Sequence, residues 1–217
     1  MVVRNFHFQL DDIKKELLDM GKQVQKILDE LIKAFSLFDN KVMEAIIIND
    51  VFINQKELEL HDKVTILIST QQPVATDLRK LIVVLKISSD LERVADLAVD
   101  IAKQSKRLIK ECLIPYQDKL LTMFVLAQDM IQRSLHSFEL SDLLYAQKIA
   151  VLDDKVDFLY GELIKDLFNT SKQHGIEVGQ VTQLAFIGRY IERIADYATN
   201  LAEWVIYEVN GKHFDLN

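Results

Sequence analysis

With 217 residues, 49% of them apolar, and a formal net charge of −7, the chain can bury a sizeable core but lacks the clustered Lys and Arg that a broad nucleic-acid face requires. Six glycines and two prolines are too few for the frequent turns of a sandwich or barrel, so the composition reads as all-α. Apolar runs such as Leu81-Ile82-Val83-Val84-Leu85 fall far short of the roughly 18 to 20 residues that span a bilayer, and the single Cys112 admits no internal disulfide.

From Leu10 onward, Ile13, Leu17, Met20, Val24, Ile27, Leu31, Phe35 and Phe38 recur every three or four positions and predict a long amphipathic first helix. Asp39-Asn40 offers a stop and a new cap. The stripe Val42, Ile46, Ile53, Leu60, Val64 and Leu67 then predicts a second helix, which Pro73 breaks. A third runs from about Val74 to Leu108 through Leu78, Leu81, Leu85, Leu91, Ala95, Ala98 and Ala102. The short basic run from Lys103 to Lys110 reads as a solvated helix end.

The pattern restarts near Pro115 as a fourth helix carrying Leu120, Phe124, Ala127, Ile131, Leu135 and Phe138. Ser141-Asp142 caps a fifth, with Tyr145, Ile149, Leu152, Val156, Leu163 and Leu167. Gly175 and Gly179 bracket the next connection, and a sixth helix runs from about Val181 to Val209 before the stop at Asn210-Gly211. Three helices per copy with short links imply two tandem antiparallel three-helix bundles, one in residues 1–110 and one in 111–217. Phe6 and Phe8 at one end, and Phe214 and Leu216 at the other, read as terminal packing. The first residues also lack the apolar core of a signal peptide, which points to a cytoplasmic protein.

The two copies are visible in the sequence itself. Leu91-Glu92-Arg93-Val94-Ala95-Asp96 returns as Ile191-Glu192-Arg193-Ile194-Ala195-Asp196, with Glu, Arg, Ala and Asp in phase. Residues four apart share a helix face, so Glu92 projects with Asp96 and Glu192 with Asp196. The second helix of each copy carries a matching pair, Asp50 with Asn54 and Asp153 with Asp157. Antiparallel packing of the two helices would gather Asp50, Asn54, Glu92 and Asp96 in copy one, with Asp100 and Glu57 as further members. Copy two would gather Asp153, Asp157, Glu192 and Asp196, with Asn200 in the place of Asp100.

Facing acids repel one another and resist desolvation, so such clusters call for cations or protons. Oxygen ligands favour Mg²⁺, Ca²⁺ or Mn²⁺ and are compatible with oxidised iron, more than one ion per site included. One Glu-x-x-x-Asp alone is ordinary on a solvated helix face, and Arg93 or Arg193 could pair with nearby acids. Recurrence in phase, with partner pairs, is what argues for a site. A carboxylate-bridged metal storage or oxidase protein is one alternative, although such sites use Glu-x-x-His and no His stands three residues after a Glu. His61 follows Glu57 by four and reads as a surface or packing residue. A metal-free helical adaptor is the other alternative.

The two three-helix copies, the segment Gln72-Pro73-Val74-Ala75-Thr76-Asp77-Leu78-Arg79, the two Glu-Arg-x-x-Asp motifs, and Asp153-Asp154-Lys155-Val156-Asp157 together resemble the PhoU family of phosphate-uptake regulators. The resemblance implies a non-enzymatic cytoplasmic adaptor that binds the ATPase of the phosphate ABC transporter and a sensor histidine kinase. Such a protein restrains phosphate-starvation signalling when phosphate is plentiful and meets the membrane only through its partners; homodimer formation is left open. It also implies multinuclear iron or other metal clusters, mapping onto Glu92, Asp96, Glu192 and Asp196, with Asp50, Asp153 and Asp157 on the partner helices. Asn54 stands where the family pattern has an acid.

Overall fold

The computed structural model describes residues 2–174 and 177–216. Its elements are α1 (Val2–Leu37), α2 (Asn40–Asn49), α3 (Val51–Gln71), α4 (Ala75–Ser105), α5 (Lys110–Leu140), α6 (Leu143–Gln147), α7 (Ala150–His174) and α8 (Val178–Asn210). Helices α1, α2–α3 and α4 form one three-helix bundle, and α5, α6–α7 and α8 form the second. The bundles join where α4 packs on α8 and α1 on α5, and one apolar core runs through both. The small side chains of Ala95, Ala98 and Ala102 on α4, and of Ala195, Ala198 and Ala202 on α8, are fully buried. They let backbones approach closely enough for the Ser134 hydroxyl to donate to the Ala198 carbonyl at 2.7 Å.

Local chemistry sets the ends of the helices. The Asp39 carboxylate accepts from the Lys41 and Val42 amides at 3.0 and 3.2 Å, and Asp142 from Leu144 at 2.9 Å, caps that contribute about 1 kcal/mol each. Gln72 turns left-handed at φ 47° and gives its N–H to Ile68, after which Pro73 cannot continue α3. Helix α1 begins eight residues before Leu10 because Phe6, 7% exposed, extends its apolar stripe. Helix α5 likewise begins at Lys110, and Pro115 sits inside it on the exposed face, where losing one backbone donor costs least. Gly179 lies in the first turn of α8 instead of in the connection. Gly175 is outside the described residues.

The second and fifth helices, each read from the sequence as one continuous rod, are both broken. Ile46, Ile47 and Ile48 are β-branched and lose rotamer freedom in a helix, and Asn49 and Asp50 are weak helix formers. The ladder accordingly ends at Asn49 and restarts at Val51, with Asp50 between at φ −53° and ψ −38°. In copy two α6 lasts five residues and tightens at its end, where Ile149 donates to Ala146 and Lys148 to Tyr145, three residues back. One break falls at Asp50 itself, and the other, at Lys148 and Ile149, just before Asp153. They place Asp50 at the N-terminus of α3 and Asp153 in the first turn of α7, where a helix end favours negative charge.

Candidate metal centres

Copy two is the tighter cluster. Asp153 of α7 and Glu192 of α8 are 5% and 8% exposed, unusual for carboxylates. Their approach depends on Gly188, where an added Cβ would lie 2.5 Å from Leu163 of α7, so the helices meet where a larger residue would hold them apart. Asp157, Glu192 and Asp196 each offer an oxygen, and the three oxygens lie within 4.8 Å of one another. That spacing suits one cation with metal–oxygen distances of roughly 2.0–2.6 Å. Arg189 pairs with Glu192 one turn along α8, and Arg193 donates to the Tyr197 hydroxyl at 3.5 Å while its charge also reaches Asp196. Asn200 lies one turn beyond Asp196, half-buried.

The electrostatics follow from that crowding. Burial, then the charges of Asp157 and Asp196, push the Asp153 carboxyl up to about 6, although the Thr199 hydroxyl opposes the shift. Burial and the Asp196 charge push Glu192 up to about 7 against the pull of Arg189. Asp196 is raised for the same first reason, with Arg189 and Arg193 lowering it and Asp157 raising it.

Copy one is looser and longer. Asp50 feels burial first and then the charges of Asp96 and Asp100, and Glu92 feels burial, Asp96, Glu57 and Asp50, so both carboxyls are raised. Charge coupling links Asp50 with Asp96 and Asp100, and Glu92 with Asp96, Glu57 and Asp50, but among the described residues no three of these acids bring oxygens within 4.8 Å of one another as copy two does; Asn54 stands on α3 one turn beyond Asp50. Arg93 lies 3.6 Å from Glu92 and 3.2 Å from Asp96, and Lys103 is 3.4 Å from Asp100. Ser89 donates to Glu57 at 2.8 Å, and His61 Nε2 sits 3.2 Å from the same oxygen and 3.3 Å from the Leu85 carbonyl. His61 thus packs against Glu57 and holds it in place.

Buried side-chain atoms without a hydrogen-bond partner are rare in folded proteins and each needs a reason. Among the described residues there are six, and four belong to these clusters: Asp50 Oδ1, Asn54 Oδ1, Asp153 Oδ1 and Glu192 Oε2. Oxygens withheld from water and from protein donors, in a field already too negative, fit a hard cation. The donor set is oxygen-rich in both copies, and the His61 imidazole stands beside Glu57 in copy one.

The PhoU domain model matches residues 17–105 and 120–205, one match on each bundle and each spanning one acid cluster. The chain belongs to the PhoU family. The phosphate-specific transport system accessory protein PhoU homolog of Clostridium acetobutylicum is 37% identical over the whole of both chains. Its counterpart in Streptococcus pneumoniae is 31% identical over 98% of each. The crystal structure of the phosphate transport system regulatory protein PhoU from Streptococcus pneumoniae superposes with a TM-score of 0.91 over 97% of this chain and 99% of that one, at 28% identity. PhoU from Pseudomonas aeruginosa gives a TM-score of 0.90 over 95% and 100%, at 30% identity.

Within this PhoU chain, the parts of the clusters that sequence reading missed are the side chains that hold the acids. Arg189 announces itself only by its spacing of three from Glu192. Ser89 and Thr199 carry no pattern at all, because their roles come from how α3 packs on α4 and α7 on α8.

Proposed function

We propose that this chain is a non-catalytic, cytoplasmic regulatory adaptor of phosphate uptake whose two acidic grooves hold hard cations. The full-length relationship to accessory proteins of the phosphate-specific transport system carries the first part of this reading. Its partners are then the ATPase of the phosphate ABC transporter and a sensor histidine kinase, and its effect is to restrain phosphate-starvation signalling while phosphate is plentiful. Deleting the gene should raise starvation-gene expression in phosphate-rich medium; expression left unchanged would count against the reading.

The cation part rests on the four orphaned oxygens. Asp153, Asp157, Glu192 and Asp196 would hold ions in copy two, and Asp50, Asn54, Glu57, Glu92, Asp96 and Asp100 in copy one. A bound ion supplies positive charge that cancels repulsion between facing helices. The residues do the rest: α7 and α8 present carboxylates from opposite walls, while Arg189 pairs with Glu192 and Arg193 offsets part of the charge on Asp196. Five carboxylates against Arg93 and Lys103 in copy one, and four against Arg189 and Arg193 in copy two, give the grooves different charge. Oxidised iron and Mg²⁺, Mn²⁺ or Ca²⁺ all suit these donors. Metal analysis of protein purified without chelator, with thermal melts before and after chelation, tests this part separately from the phosphate phenotype.

A further inference from the structure

Residues 211–216 fold back over the end of α8 and build a corner that takes no part in either acidic groove. Gly211, at φ 70°, caps α8 by donating to the Tyr207 carbonyl at 2.9 Å. A Cβ there would lie 2.5 Å from Arg79 Nη1, so the turn takes this path only with glycine or with Arg79 displaced. His213 then stacks on Tyr207 with ring centroids 4.1 Å apart and 8° between planes, and stands edge-on to Trp204 at 5.7 Å. Leu216 donates its N–H to Glu203 at 2.8 Å, and the Trp204 indole donates to Asp90 at 3.1 Å. Stacking and hydrogen bonds thus hold both walls of the corner.

Between those walls is a cavity of about 220 Å³ lined by Glu203, Trp204, His213, Phe214 and Asp215. Three rings and the Glu203 carboxylate are the complement of a cation: ring faces attract positive charge, and a carboxylate pairs with it. The neighbouring chemistry agrees. Lys86 already lies over the Trp204 ring at 5.6 Å and Arg79 over Tyr207 at 5.8 Å, so these rings take cations, and Asp90 adds a second acid behind the indole.

We propose that this cavity is a docking socket for an arginine side chain of a partner protein. A planar guanidinium stacks on a ring and pairs with a carboxylate at once, which a compact ammonium does less well. Trp204 is the single tryptophan of the chain, so its fluorescence reports on the socket alone. The test titrates the full chain with the capped tripeptide Gly-Arg-Gly and with its neutral isostere, in which citrulline replaces arginine. A saturable fluorescence change is expected with the arginine peptide only. Glu203→Gln keeps an acceptor for the Leu216 N–H while removing the charge, and should weaken binding about fivefold; His213→Ala removes a wall and should weaken it as well. Helical circular dichroism confirms that both variants fold. Equal responses to the two peptides, no response to either, or wild-type affinity in Glu203→Gln would overturn the proposal.

Discussion

Asp153 on α7 and Glu192 on α8 belong to one cluster across the second bundle's groove, and each keeps one carboxylate oxygen that no hydrogen bond reaches. Their charged forms are therefore a cost to the cation-free fold. Asp153→Asn and Glu192→Gln keep the shapes and remove the charges, so in chelator at pH 7.5 each should stabilise the protein by about 1–2 kcal/mol. The same substitutions should abolish most of the melting-temperature gain that added cation gives the wild type. Denaturation with and without chelator reads both signs.

The pH dependence has a defined direction. A carboxyl raised in the folded state binds its proton more tightly there than in the unfolded chain, where Asp and Glu titrate near about 4. Stability from these groups is thus present at low pH and is lost as pH rises through about 6 for Asp153 and about 7 for Glu192. In chelator, the difference in stability between wild type and Asp153→Asn/Glu192→Gln should widen in favour of the variant between pH 4 and pH 7. A difference that stays flat across that range would contradict the account. Added cation competes with these protons, so its stabilising effect should grow over the same interval.

Two glycines in facing helices have opposite fates. Gly188→Ala forces its methyl into Leu163 and should cost about 1–3 kcal/mol while weakening cation binding in copy two. A methyl added at Gly161 meets nothing within 4 Å, so Gly161→Ala should instead stabilise α7 by about 0.5–1 kcal/mol. Melting curves of the two variants separate close packing from helix propensity.

Asn54 fills the place that Asp157 holds in copy two, and its oxygen is buried without a partner. Asn54→Asp adds a sixth carboxylate to a cluster in which Arg93 and Lys103 already face five. It should destabilise the chelated protein and tighten cation binding at the first groove, as isothermal titration of the single-groove background Glu192→Ala/Asp196→Ala would show.

The six long helical segments were legible because apolar side chains recur at the helical period over twenty to thirty residues, and their caps because Asp39, Asp142 and Gly211 carry their own chemistry. The breaks at Asp50 and Lys148 were not, because the apolar stripe passes across them: Ile46 and Ile53 are both buried, and so are Ile149 and Val156. The acid pairs were legible through duplication. Their depth was hidden, since the same spacing describes Asp157, which is exposed, and Glu192, which is not. Only packing decides between them, and the small residue at Gly188 is its one trace in the sequence.

Whether both grooves hold cations is tested most directly by anomalous scattering from crystals of chelator-free protein. An ion peak is expected among Asp153, Asp157, Glu192 and Asp196, a second among Asp50, Asn54, Glu92 and Asp96, and loss of each in the matching Glu→Ala/Asp→Ala double variant. Crystals without a peak in either groove, from protein whose melting is indifferent to chelator, would contradict cation binding there.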